Sequence, residues 1–209
     1  MLEKKIIVVG IGPGDAKFIT PAALEKISAA KFLVGGRRAL ETFSSSSQVT
    51  FPITKNLDAA LNFIREKILI GQVVVMVSGD PGYYSMLDLL RKNFDVKLIE
   101  VIPSISALQL AFAKLAMSWY DATLLSFHGR RPIDDKLKFE PEKILGLLTD
   151  GEYNSATISK ILIDLGWNGD TSLTICARLS YPDEKIISTT LAAAVNSEPI
   201  KHCVLIVGQ

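Results

Sequence analysis

The chain has 209 residues, 48% of them hydrophobic, and a formal net charge of +1. That length admits one large domain or two of about 100 residues each. The near-neutral balance excludes a nucleic-acid binder that works through bulk basicity. No apolar run reaches the roughly 18 residues of a membrane span and no leader pattern opens the sequence, so the expectation is a cytoplasmic protein with no membrane partner.

The first half alternates two periods. KKIIVVG (4–10) reads as a buried strand. TPAALEKISAA (20–30) follows as a helix, with Thr20 suited to cap it and Pro21 to its first position. KFLVGG (31–36) is a short strand, RRALETF (37–43) a short helix, SSSS (44–47) a loop and QVTFPI (48–53) a strand. LDAALNFIREKILI (57–70) is a strongly periodic helix, and QVVVMVSGD (72–80) is the most apolar strand. YSMLDLLRKNF (84–94), VKLIEVIP (96–103) and SISALQLAFAKLAM (104–117) continue as helix, strand and helix. Strands alternating with helices of this length predict a parallel sheet covered on both faces.

The pattern changes near residue 118. ATLLSFHG (122–129) is a strand, 130–143 a charged loop with a helix start, and ILGLLTD (144–150) a strand. The helix NSATISKILIDLG (154–166) has Gly166 as its terminator. TSLTICARL, EKIISTTL and HCVLIVG then crowd together, which predicts a mixed sheet with antiparallel pairs. The expectation is therefore an α/β protein of two domains. Residues 1–117 form a parallel, Rossmann-like domain and 118–209 a mixed one. Cys176 and Cys203 sit in strand-like runs and read as buried free thiols, and no His, Cys and acid cluster has the spacing of a protein metal site.

Three loops at strand ends carry the chemistry. The first, VVGIGPGDAKFIT (8–20), has glycines at 10, 12 and 14 behind a strand. A dinucleotide fingerprint needs its third glycine five positions after the first, where this chain has Asp15. No acid ends the second strand to hold a ribose. A nicotinamide oxidoreductase is weakened on both counts. The second loop, SGDPGYYS (78–85), pairs two glycines with a stiffening proline, and the third, IPSISAL (102–108), offers Ser104 and Ser106. Ligands of open parallel sheets bind beyond the carboxyl ends of strands, where all three loops lie.

In this order and spacing, GIGPGD, VGGRR, SGDPGYYS and VIPSISALQLAFAKLAMSWYDATLLSFHGR resemble the tetrapyrrole methylases. The resemblance covers essentially the whole chain, and the SWYDATLLSFHGR block is similar to the branch that methylates carbon 5 of a corrin precursor in cobalamin biosynthesis. It implies S-adenosylmethionine as methyl donor, bound folded in a cleft between two α/β domains, and a homodimer. It implies a corrinoid substrate, with any cobalt belonging to that substrate. It also implies a separate enzyme for the methylating and decarboxylating step at carbon 15.

Carried onto this sequence, the family's donor contacts fall on Pro13, Ser78, Gly79, Asp80, Tyr83, Ser106 and Ala107, with Leu148 and Thr149 as further positions whose alternative is core packing. Asp80 has a plainer alternative as a turn-capping aspartate. The substrate carries many carboxylates, which suit arginine forks, so Arg130, Arg37, Arg38 and Arg178 are candidates against a default of solvated surface charge. His128 and Asp15 are candidates for moving a proton. Where the family often has Pro-Gly, this chain has Pro103-Ser104, and a positive φ there would strain serine. The competing readings are a relative acting on a different ring carbon or on a diphthamide precursor, and a non-catalytic ligand-binding α/β domain.

Overall fold

The computed structural model describes residues 4–208. The chain divides into two compact units, Met1–Ser106 and Ala107–Gln209.

In the first unit, β1 (Ile6–Gly10), β2 (Phe32–Gly35), β3 (Val49–Pro52), β4 (Val73–Val77) and β5 (Ile99–Ile102) form one sheet in the order β3-β2-β4-β1-β5. Every neighbouring pair is parallel, for example Val8 against Val75 and Val101. The helices between them are α1 (Pro21–Ala29), α2 (Arg37–Phe43), α3 (Leu57–Lys67) and α4 (Leu87–Asn93). β1, β2 and β4 are buried along their whole length. Alternate residues feed two cores, Ile6, Val8 and Val75 on one face and Ile7, Val9 and Val74 on the other. That is why these strands read as continuous apolar runs rather than alternating ones. Thr20 caps α1, its Oγ1 accepting the Ala23 N–H at 3.2 Å, an arrangement worth about 1 kcal/mol.

In the second unit, α5 (Ala107–Lys114) comes first. It is followed by β6 (Thr123–Ser126), α6 (Asp134–Leu137), β7 (Leu145–Leu148), α7 (Ser155–Asp164), β8 (Ser172–Ala177), β9 (Lys185–Thr190), α8 (Leu191–Val195) and β10 (Cys203–Val207). The sheet order is β6-β7-β10-β8-β9, with β6 and β7 parallel and the other pairs antiparallel. Gly166, at φ +98, ends the turn after α7.

The units divide at Ser106–Ala107 rather than near residue 118, because α5 belongs to the second sheet. Its Leu108 and Phe112 press on β7 at Gly146, where an added Cβ would lie 3.0 Å from each. The sequence places α5 with the parallel half because its helix period simply continues that half's alternation.

Candidate active site

The chain leaves the adjacent strands β1 and β4 in opposite directions, β1 towards β2 and β4 towards β5. Such a switch point opens a crevice at the carboxyl ends of the two strands. The loops after β1, β4 and β5 meet there at Gly10. A Cβ on Gly10 would stand 2.6 Å from the Gly79 carbonyl oxygen, 2.7 Å from Ser104 Cβ and 2.8 Å from Pro81 Cδ. The first glycine of GIGPGD is therefore a packing requirement.

Gly12 and Gly79 form an isolated antiparallel bridge, the Gly79 N–H donating to the Gly12 carbonyl at 2.8 Å. Both have positive φ, +74 and +69, which glycine adopts without steric penalty. Gly79 also faces the buried Ser106, whose Cα would be 3.5 Å from an added Cβ. Asp80 joins two loops. Its Oδ1 accepts the Gly82 N–H at 2.8 Å, the local turn, and its Oδ2 accepts the Ser104 N–H at 2.9 Å. Ser104 is absent from the positive-φ residues, so the strain expected of serine there does not arise.

Tyr83 is half-buried, and its hydroxyl has no hydrogen-bond partner among the described residues. Burial, and secondarily Tyr84, holds its phenol protonated well above the ordinary range. The two rings meet edge to face with centroids 4.7 Å apart. A buried, unpaired hydroxyl in the loop after β4 is an opening for a ligand's polar group. Pro13 is half-buried in the first loop, Ser78 is exposed at the end of β4, and Ala107 opens α5.

Asp15 caps the short turn at Ala16–Phe18, accepting the Lys17 N–H at 2.9 Å, and pairs with Lys17 Nζ at 3.0 Å. These contacts, the backbone bond first, hold its carboxyl below the usual range and make it a weak proton acceptor.

In the second unit, the parallel strands β6 and β7 carry the other candidates at their carboxyl ends. After β6, the His128 N–H donates to Ser126 Oγ at 3.2 Å, the Gly129 N–H to Asp150 Oδ2 at 2.8 Å, and the Arg130 N–H to the Phe127 carbonyl at 3.3 Å. His128 and Arg130 are exposed. After β7, Asp150 Oδ1 accepts the Glu152 and Tyr153 N–H groups at 2.9 and 2.7 Å. The Gly129 bond, the largest effect, together with the Tyr153 and Glu152 amides and the nearby His128, lowers the Asp150 carboxyl against the opposing effect of desolvation. The sequence reading missed this residue. Its signal was an aspartate followed by glycine at a strand end, the composition of an Asx turn.

Thr149 is buried and its side chain is spent within the sheet. Its Oγ1 donates to the Cys203 carbonyl at 2.9 Å and accepts the Cys203 N–H at 2.7 Å. Leu148, half-buried, accepts the Phe127 N–H on its carbonyl at 2.8 Å. Arg178, at φ +54, donates from Nε to both Asp183 carboxylate oxygens at 3.0 and 3.2 Å and lies 4.4 Å over the Tyr181 ring, so its side chain braces its own loop. Arg37 and Arg38 are exposed at the start of α2. Cys176 and Cys203 are free and buried. Because Cys176 pairs with Val204, the two thiols point to opposite faces of the sheet.

The model of the family Tetrapyrrole (Corrin/Porphyrin) Methylases matches residues 5–195. The chain belongs to the tetrapyrrole methylases. This tetrapyrrole methylase is 32% identical over 202 residues to a probable cobalt-precorrin-7 C(5)-methyltransferase of Methanocaldococcus jannaschii, covering 92% of each chain. It is 30% identical to the cobalt-precorrin-7 C(5)-methyltransferase of Salmonella typhimurium, covering 98% of its own length and 99% of the relative's. Its fold matches a uroporphyrin-III C-methyl transferase from Thermus thermophilus in complex with S-adenosylhomocysteine, with a TM-score of 0.74, 20% identity, and coverage of 98% and 92%. No helix among the described residues is long and apolar enough to cross a membrane.

Proposed function

We propose that this tetrapyrrole methylase transfers a methyl group from S-adenosylmethionine to carbon 5 of a cobalt-precorrin in cobalamin biosynthesis. The donor half of this reading is carried by the convergence of three loops on Gly10 at the switch point. The substrate half is supported by the similarity to two C(5)-methyltransferases along nearly the whole chain.

S-adenosylmethionine supplies an electrophilic methyl on a sulfonium, and its sulfur leaves as a neutral thioether. The residues present fit such a molecule. It has no phosphates, and the GIGPGD loop carries Asp15 where a diphosphate would be repelled. The buried Tyr83 hydroxyl offers an unused donor, and the turns at Gly12 and Gly79 expose backbone to a close approach. In this proposal Pro13, Ser78, Gly79, Asp80, Tyr83, Ser106 and Ala107 hold the donor. The protein's task is to align it with the ring carbon at about 3–3.5 Å and exclude water.

The substrate's acetate and propionate groups are assigned to Arg130 first, with Arg37 and Arg38 behind it. Arg178 remains a candidate, with its Nε donating to Asp183 at 3.0 Å. His128 is better placed than Asp15 to accept a ring proton, because Asp15 is held ionised by Lys17. Cobalt is treated as part of the substrate. A homodimer, a cytoplasmic location and a separate carbon-15 enzyme belong to the same proposal.

The deciding experiment incubates the purified chain with S-adenosylmethionine bearing a carbon-13 methyl and with the cobalt and metal-free precorrins in parallel. The expected product gains one labelled methyl, located at carbon 5 by NMR. Label at another ring carbon, or none in any precorrin, overturns the assignment.

A further inference from the structure

We propose that Asp150 is a positioning residue for the substrate arginine, holding the His128–Arg130 turn in the conformation that binds carboxylates. The inference rests on the reading of Arg130 as a carboxylate fork.

The three amides of this turn are each held. His128 and Arg130 bond within their own segment, to Ser126 Oγ and the Phe127 carbonyl. The Gly129 N–H alone of the three reaches across to the neighbouring strand's loop, to Asp150 Oδ2 at 2.8 Å. Gly129 has φ +70 and open space around its α-carbon, so packing does not fix it there. The position of the turn relative to β7 depends on a charge-assisted bond to a carboxylate, which is stronger than one between neutral groups.

Asp150 is itself rigid. Its other oxygen accepts two amides of its own turn, and its carbonyl accepts the His202 N–H at 3.3 Å. A carboxylate anchored on one oxygen presents the other at a fixed point. Arg130 follows the anchored Gly129 directly, so the staple sets where its Cα begins. An Arg fork needs both nitrogens in register with a carboxylate, so a displaced backbone costs binding even when the charge remains.

Asp150→Asn separates this role from a local one. Asparagine keeps one carbonyl oxygen, which satisfies the Glu152 and Tyr153 amides as Oδ1 does now. Its amide group then faces Gly129 donor to donor. The opposite flip would restore one bond and lose two. The local turn thus survives and the cross-loop bond does not.

Two readouts test the proposal. Amide hydrogen exchange should quicken about tenfold at Gly129 while Glu152 and Tyr153 stay unchanged. The KM for the precorrin should rise about fivefold, with kcat and donor affinity unchanged within about twofold. Unchanged exchange at Gly129 overturns the staple. Faster exchange with an unchanged KM overturns the positioning role. A uniform loss of donor affinity, kcat and stability overturns it in favour of a merely structural aspartate.

Failure of the carbon-5 assignment is read separately, by equilibrium dialysis of a cobalt corrinoid bearing free carboxylates. If the wild type binds this macrocycle without methylating it, the staple is judged on whether Asp150→Asn weakens that binding. If it neither binds nor methylates the macrocycle, both readings are overturned.

Discussion

The Asp80 carboxylate accepts the Ser104 N–H at 2.9 Å, which ties the loop after β4 to the loop after β5. Its other oxygen closes the turn at Gly82. Asp80→Ala removes both bonds and leaves a half-buried amide unpaired, a cost of about 1–3 kcal/mol. The expected outcome is a folded protein, modestly less stable in urea, with donor affinity reduced at least about tenfold by calorimetry. Wild-type affinity in the variant would remove Asp80 from the donor site.

Gly10→Ala is a sharper probe of the same junction. Its methyl would meet the Gly79 carbonyl at 2.6 Å, and a backbone oxygen cannot swing away as a side chain can. Overpacking of this kind costs about 1–3 kcal/mol. Donor binding should fall below detection in a chain that still shows a cooperative urea transition. Normal binding would mean the three loops separate freely.

Arg130→Lys keeps the charge and loses the fork. The apparent KM for the precorrin should rise about tenfold, near 1.4 kcal/mol, with donor affinity unchanged. Steering from a distance would instead be served equally by lysine and abolished by salt. Unchanged kinetics in the variant at low and high salt would return Arg130 to the solvated surface.

The thiols should be inert. Burial pushes Cys176 up to about 12 and Cys203 to about 11, so both are protonated at neutral pH. Iodoacetamide should label neither until denaturant is added, and Cys176→Ala and Cys203→Ala should retain methyl transfer. Rapid labelling of the native chain, or lost activity in a stable variant, would contradict this.

The Asp150 staple has an acid limit. Its carboxyl is lowered in the folded chain from an ordinary value of 3.8. A depressed carboxyl contributes stability that is fully present above the unfolded value and is lost as pH falls through the folded one. Relative to the intrinsic exchange rate, Gly129 protection should be flat from about pH 5 to 8 and should collapse below about pH 4. A collapse centred at or above about pH 5 would mean that a group other than this carboxylate holds Gly129.

Much of the first unit was legible because fully buried parallel strands write themselves as apolar runs, Ile6–Gly10 and Val73–Val77 above all. The helix start at Thr20-Pro21 was equally plain, since capping chemistry is local. The unit boundary was not, because α5 owes its allegiance to a close approach at Gly146, which no period records. The loops after β1, β4 and β5 were recognisable by composition. Their meeting at Gly10 depends on strand order, which a sequence does not state. The dual role of Asp80 was half visible, as a turn residue, while its bond to Ser104 spans 24 positions of sequence. Asp150 was hidden for the same reason, its partner Gly129 lying on a different strand's loop. The bond from Arg178 to Asp183 was hidden too, because it depends on how the loop between β8 and β9 folds back.

The place of β10 between β7 and β8 has a consequence for synthesis. β10 follows all its sheet neighbours in the chain yet fills the middle of their sheet, so β7 and β8 have no shared partner until Cys203–Val207 leaves the ribosome. The first sheet is complete once Ile102 has emerged. Domains fold as units while the chain grows at about 5–20 residues per second. For several seconds, then, the nascent chain carries a finished first sheet followed by two separate strand pairs, β6–β7 and β8–β9, whose β7 and β8 edges stay open.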